Sequence, residues 1–266
     1  MKKLLNCTAI AGLISLGTMM FLASEARGVS FGNSWDGGAP YSLQKQLDAI
    51  AVTGPKIDTI ADQTNFELFT SAGGGSSVAT IMLEIAGFAS TNKFGIYNPN
   101  GFKAQLFQGS NSVSDGALLS FNNGNLSVTK GLGNTPTDYL GFGNIFGFYL
   151  ERGDGVTFYS EKARNPNQSQ QSVVYRGNNQ TVLQIPGHNP ETFTLDQFII
   201  AFDDLLRVGS VSDGDFQDMV VLVDSIEPAS VPESSTTIAM LGFGMCGIGL
   251  IVKRQFKAQL VRRDAA

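Results

Sequence analysis

The sequence predicts an all-β chain: an antiparallel β-sandwich of jelly-roll type with a short N-terminal helix, plus a signal peptide and a C-terminal transmembrane helix. Three observations carry the prediction. Ten short runs with strand patterning follow one another at 66–70, 79–86, 103–107, 126–129, 145–150, 156–160, 173–175, 181–185, 198–202 and 219–223. Between them stand Gly73-Gly74-Gly75, Asn122-Asn123-Gly124-Asn125, Gly153-Asp154-Gly155 and Gly177-Asn178-Asn179, residues that accept positive φ in turns. The chain also holds 19 Phe and one Trp, which suits a sandwich core, because Phe fills it without needing a hydrogen-bond partner.

The 266 residues divide in chain order as follows. Met1-Lys2-Lys3, the apolar run 4–22 and Ser24-Glu25-Ala26 have the three parts of a signal peptide, so residues 1–26 are expected to be removed by cleavage after Ala26. Residues 27–55 form a Gly-rich lead-in and a short helix. The helix is expected over 41–52, where Leu43, Leu47 and Ile50 recur at helical spacing and Thr53-Gly54-Pro55 stops the pattern. The sandwich domain is expected over 56–229, with no internal repeat and no Pro-rich or charged linker.

Residues 238–252 are 15 uncharged residues followed by Lys253, Arg254, Lys257, Arg262 and Arg263. Counted from Thr236, the helix is about 25 Å long, short but workable against about 30 Å of hydrocarbon. The positive residues after it belong in the cytoplasm, which leaves 27–235 outside and makes 255–266 a cytoplasmic tail. Gly242-Phe243-Gly244-Met245-Cys246-Gly247 spells a dinucleotide-binding pattern, but it lacks the preceding strand and downstream acid, and small residues for helix contact in lipid fit it better. Val231, Pro232, Glu233 and Ser234 with the Gly-rich helix after them, together residues 231–254, and the basic tail resemble the PEP-CTERM sorting signal of bacterial exported proteins. The resemblance implies a membrane protease of the exosortase type as partner, release to the cell surface after an inner-membrane intermediate, and an exopolysaccharide matrix as destination. Ser234 stands where that family usually has a second proline.

Charge narrows the function further. Residues 27–230 carry 11 Lys and Arg against 20 Asp and Glu, a net −9 that makes nucleic acid an unsuitable partner. Cys7 and Cys246 lie in the end segments and His188 is the sole histidine, which leaves the middle without a disulfide, a thiolate metal site or a Cys nucleophile. Eight of the acids, against Arg207 alone, fall between Asp196 and Glu227. If the runs 198–202 and 219–223 pair as a hairpin, Asp203, Asp204, Asp213, Asp215 and Asp218 converge at one end of the sheet. Two unit charges 6 Å apart repel by about 1 to 3 kcal/mol, so the cluster calls for a cation or for open solvent. Hard oxygen ligands favour Ca²⁺. The turn is no EF-hand, since Asp218 stands where that loop needs Gly. Its Gly/Asp composition reads as wet, which speaks against a catalytic acid kept protonated by burial, and no catalytic residue is assigned.

Phe94-Gly95-Ile96-Tyr97, Gly147-Phe148-Tyr149-Leu150, Thr157-Phe158-Tyr159-Ser160 and the run from Ala201-Phe202-Asp203-Asp204-Leu205 to Asp213-Gly214-Asp215-Phe216-Gln217-Asp218-Met219-Val220 resemble an uncharacterised bacterial extracellular domain, the domain of unknown function numbered forty-one fourteen. The resemblance spans residues 94–224 and implies a shared acidic site without an established role; Gln217 departs from an expected Asn. The expectation is an exported, surface-sorted structural or adhesive matrix component that binds Ca²⁺ through the acidic loop. The alternatives are a carbohydrate-active hydrolase using the same acids and a polysaccharide-binding module without catalysis.

Overall fold

Ser42 opens the first described element by accepting a hydrogen bond from the Lys45 amide, 3.3 Å, so that helix α1 runs over Leu43–Ile50 with Leu47 one turn along from Leu43 on its buried face. The computed structural model describes residues 31, 42–72, 75–83 (78–83 by backbone alone), 90–109, 111–131, 133–206 and 214–229. The signal peptide with its cleavage site at Ala26, the motif Val231-Pro232-Glu233-Ser234 and the apolar segment 236–252 lie outside them. Among the described residues no helix is long and apolar enough to cross a membrane.

After α1 the regular structure of the described chain is strand, apart from two short 3-10 turns at Lys162–Arg164 and Pro166–Gln168: β1 Ala51–Thr53, β2 Gln63–Thr64, β3 Phe69–Ser71, β4 Ser76–Leu83, β5 Lys93–Tyr97, β6 Lys103–Gln108, β7 Gly116–Asn122, β8 Asn125–Lys130 and β9 Thr137–Tyr139. There follow β10 Ile145–Glu151, β11 Thr157–Tyr159, β12 Ser172–Arg176, β13 Val182–Leu183, β14 Glu191–Thr192, β15 Phe198–Phe202, β16 Met219–Asp224 and β17 Ile226–Pro228. All pairs are antiparallel, as the turn-punctuated sequence predicts. The run expected at 79–86 is β4, three residues earlier, and that at 66–70 begins only at Phe69. Seven strands escaped the pattern, five of them (β1, β2, β9, β14 and β17) only two or three residues long and two of them, β5 and β7, longer. In β5, Gly95 interrupts the β-branched and aromatic run, and β7 opens on Gly116-Ala117.

Two large sheets share one core. The six-stranded sheet runs β17-β3-β10-β5-β6 with β11 on β10; the eight-stranded sheet runs β2-β12-β15-β16-β4-β7-β8-β9. Their inner faces meet ring to ring: Phe69 lies 5.2 Å from Phe198 and Phe94 5.9 Å from Phe202. A second apolar cluster lies on the other face of the eight-stranded sheet, where Val173, Ile199, Ala201 and Val220 pack with Leu43 and Leu47 of α1 and with Leu183 of the small sheet β1-β13-β14. Strand β15 is therefore buried on both sides. Phe198, Ile200 and Phe202 enter the first core, while Ile199 and Ala201 enter the second, which is why its sequence is an unbroken apolar run.

Candidate functional site

The candidate site sits where β15 ends and β16 begins. The two strands pair antiparallel with Phe202 opposite Met219, and the Asp218 amide donates to the Phe202 carbonyl at 3.2 Å. That register sets Asp203 and Asp204, just past β15, beside Asp215 and Asp218, just before β16. The expected convergence is thus met for four of the five aspartates; Asp213 lies outside the described residues.

The expectation of a wet turn is overturned. Asp203 is 0%, Asp204 3%, Asp215 2% and Asp218 7% exposed. The cause is the double layer around β15: Phe202 and Met219 are packed in one core, while Phe216 is fully buried in the other, where its ring meets Phe31 edge-on at 5.2 Å. Phe216 takes a positive φ of 52°, a conformation uncommon for a bulky residue.

Backbone and amide donors organise the carboxylates. Asp218 Oδ2 accepts the Asp204 amide at 2.7 Å and Asp203 Oδ1 the Leu205 amide at 2.8 Å. Asp215 Oδ1 accepts the Gln217 amide at 3.2 Å and its Oδ2 the Gln217 side-chain Nε2 at 2.7 Å. Asn92 Nδ2 donates to Asp204 Oδ2 at 3.1 Å. Around them, Gln171 Nε2 donates to the Leu205 carbonyl at 2.6 Å and Arg152 Nη1 to the Asp204 carbonyl at 3.2 Å. Arg152 is held charged first by its hydrogen bond to Asp154 and in addition by Asp204. Burial pushes the Asp218 carboxyl up to about 9, reinforced by the negative charges of Asp204, Asp215 and Asp203 and opposed by the Asp204 amide. In the absence of a cation, Asp218 is therefore a protonated acid at neutral pH.

Two acceptors in this cluster have no donor. Asn92 Oδ1 and Gln217 Oε1 are buried without a hydrogen-bond partner, and the one other such atom among the described residues, Ser169 Oγ, belongs to the C-cap residue of the 3-10 turn Pro166–Gln168. Among the described residues no group of three or more His, Cys, Asp or Glu is drawn together closely enough to hold a metal by itself. Five surface clefts among the described residues, around His188, Ser160, Lys130, Leu47 and Arg176, are not lined by these aspartates.

Reading the sequence alone misses Asn92, Arg152 and Gln171, which reach the cluster from the ends of β5, β10 and β12. Gln217 stood in view as a departure from Asn, and its contact with Asp215 gives that position a role. Fold and site together define a mostly β antiparallel protein with a buried acidic cluster at one sheet end. No family model, no curated protein and no solved structure matches the chain.

Proposed function

We propose that this chain is an exported, surface-sorted β-sandwich of jelly-roll type that serves as a structural or adhesive component of an extracellular matrix, with Ca²⁺ bound by Asp203, Asp204, Asp213, Asp215 and Asp218. The PEP-CTERM-like end, with exosortase-type processing and delivery to exopolysaccharide, and the resemblance to the uncharacterised extracellular domain belong to the same proposal. The observation that carries the calcium reading is the burial of four aspartates at one end of the β15–β16 pair. Carboxylates taken out of water together need protons, fixed positive charge or a cation, and an all-oxygen donor set without His or Cys suits a hard ion. A bound divalent ion would take the place of the proton on Asp218.

Calcium modules of extracellular proteins bind at about 10⁻⁴–10⁻³ M, and at ten times Kd binding adds about 1.4 kcal/mol of stability. For a domain of this size that is a rise in melting temperature of about 3–6 °C. The expected result is such a rise in the wild type at millimolar CaCl₂ and none in Asp215→Ala; a wild-type curve that ignores Ca²⁺ overturns the reading.

A hydrolase gains one point from the structure and lacks another. Asp218 is the buried, protonated carboxyl that a general acid requires, yet none of those five clefts among the described residues opens on it. Glycan cleavage abolished by Asp218→Asn would favour that reading over the structural one.

A further inference from the structure

We infer that the carboxamide oxygens of Asn92 and Gln217 are cation ligands, which together with Asp203, Asp204, Asp215 and Asp218 make a mixed carboxylate and carboxamide shell at the end of β15 and β16. This rests on the calcium reading above and adds two ligands from positions that reading did not contain. Both side chains are buried, Asn92 at 0% and Gln217 at 4% exposure, and both oxygens lack a donor. Each amide is anchored to the cluster by its own nitrogen: Asn92 Nδ2 on Asp204 Oδ2 at 3.1 Å, Gln217 Nε2 on Asp215 Oδ2 at 2.7 Å. The oxygen shares a carbon with that nitrogen, so it is held at the margin of the acidic cluster. Turning either amide over would set an oxygen against a carboxylate oxygen, which fixes the assignment.

A buried acceptor without a donor costs about 1–3 kcal/mol, and proteins carry few of them. Two in one acidic cluster are explained together if the missing partner is a cation. Ca²⁺ takes six to eight oxygens, amide carbonyls among them. The acids alone do not come close enough to hold a metal among the described residues, and neutral amide oxygens supply ligands without adding to the repulsion between carboxylates. The shell then ties together three separate stretches of chain, at 92, 203–204 and 215–218. The same ion that relieves the carboxylates also satisfies both orphaned oxygens.

Calcium titration of the full-length chain by calorimetry, with four variants, separates the oxygen from the nitrogen of each amide. Gln217→Met and Asn92→Leu remove both; Gln217→Glu and Asn92→Asp keep an oxygen and lose the NH₂ donor. The expected result is a Kd raised at least tenfold in the Met and Leu variants and within threefold of wild type, or lower, in the Glu and Asp variants. If the Glu and Asp variants weaken as much as the Met and Leu variants, the NH₂ contacts are the whole role and the inference falls. It falls equally if the Met and Leu variants bind as wild type does. Where an apolar variant does not fold, its acidic counterpart decides alone by the same criterion. No binding by the wild type at 10 mM CaCl₂ overturns the calcium reading itself, an outcome distinct from wild-type binding that the variants leave untouched.

Discussion

Asp218 shows how a single side chain ties stability to pH. Its carboxyl is raised from the ordinary 3.8 to about 9 in the folded chain, so the folded state holds a proton that the unfolded state releases. Stability from this group is therefore fully present below about pH 4 and is lost progressively as pH rises from about 4 to about 9. In calcium-free buffer, the urea midpoint is expected to be lower at pH 8.5 than at pH 6, and Asp218→Asn is expected to flatten that difference. A midpoint that rises with pH in both proteins would refute the assignment. Another single-residue case lies in the six-stranded sheet, where Gly147 faces Tyr97 across β10 and β5, and Gly95 faces Tyr149. A Cβ on Gly147 would lie 2.5 Å from the Tyr97 hydroxyl oxygen, so the ring lies directly over the glycine. Gly147→Ala must displace a fully buried Tyr97 and is expected to cost about 1–3 kcal/mol in urea denaturation.

At the level of the element, burial on two faces makes β15, like its neighbours β12 and β16, a sensitive strand. Truncating Phe202, which faces the core between the large sheets, is expected to cost about 3–5 kcal/mol, and truncating Ile199, which faces the α1 side, about 2–5 kcal/mol. Strand β7 supplies the contrast. It covers one core only, and its residues alternate: Leu119 is fully buried and Leu118 is 44% exposed. Leu118→Ser is expected to stay within about 0.5 kcal/mol of wild type, and Leu119→Ala to lose several times that in the same denaturation experiment. Equal effects at 118 and 119 would mean that the face of β7 has been misread. The β15–β16 pair also accounts for how much of the site is visible in the sequence. Asp203, Asp204 and Asp218 flank two apolar runs that read as neighbours, so their meeting follows from hairpin geometry. Asn92 reaches Asp204 across 112 residues, from just before β5, a strand whose glycine hid it from the pattern.

For the whole molecule, β12, β15 and β16 contribute residues to both apolar clusters, so neither core can be lost while the other remains intact. Unfolding is expected to be one transition, with far- and near-ultraviolet circular dichroism superimposing along a urea titration; two separated midpoints would show independent units. Delivery is tested apart from folding. A chain carrying Pro232→Ala and Glu233→Ala is expected to stay with the membrane fraction where the wild type is released, and equal release would remove the sorting proposal.

The sequence by itself determined the β class, the short helix, and the chain ends at which β15 and β16 bring aspartates together. These are local properties: side-chain period, turn residues and capping act over a few residues and can be read in order. Only the tertiary structure decided that the acidic turn is dry, that Asp218 holds a proton, and that Asn92 and Gln217 bring unsatisfied oxygens to it. Burial depends on what the second core lays over the turn, Phe31 on Phe216 above all. A polar, Gly-containing stretch carries no local sign of being covered from a distance.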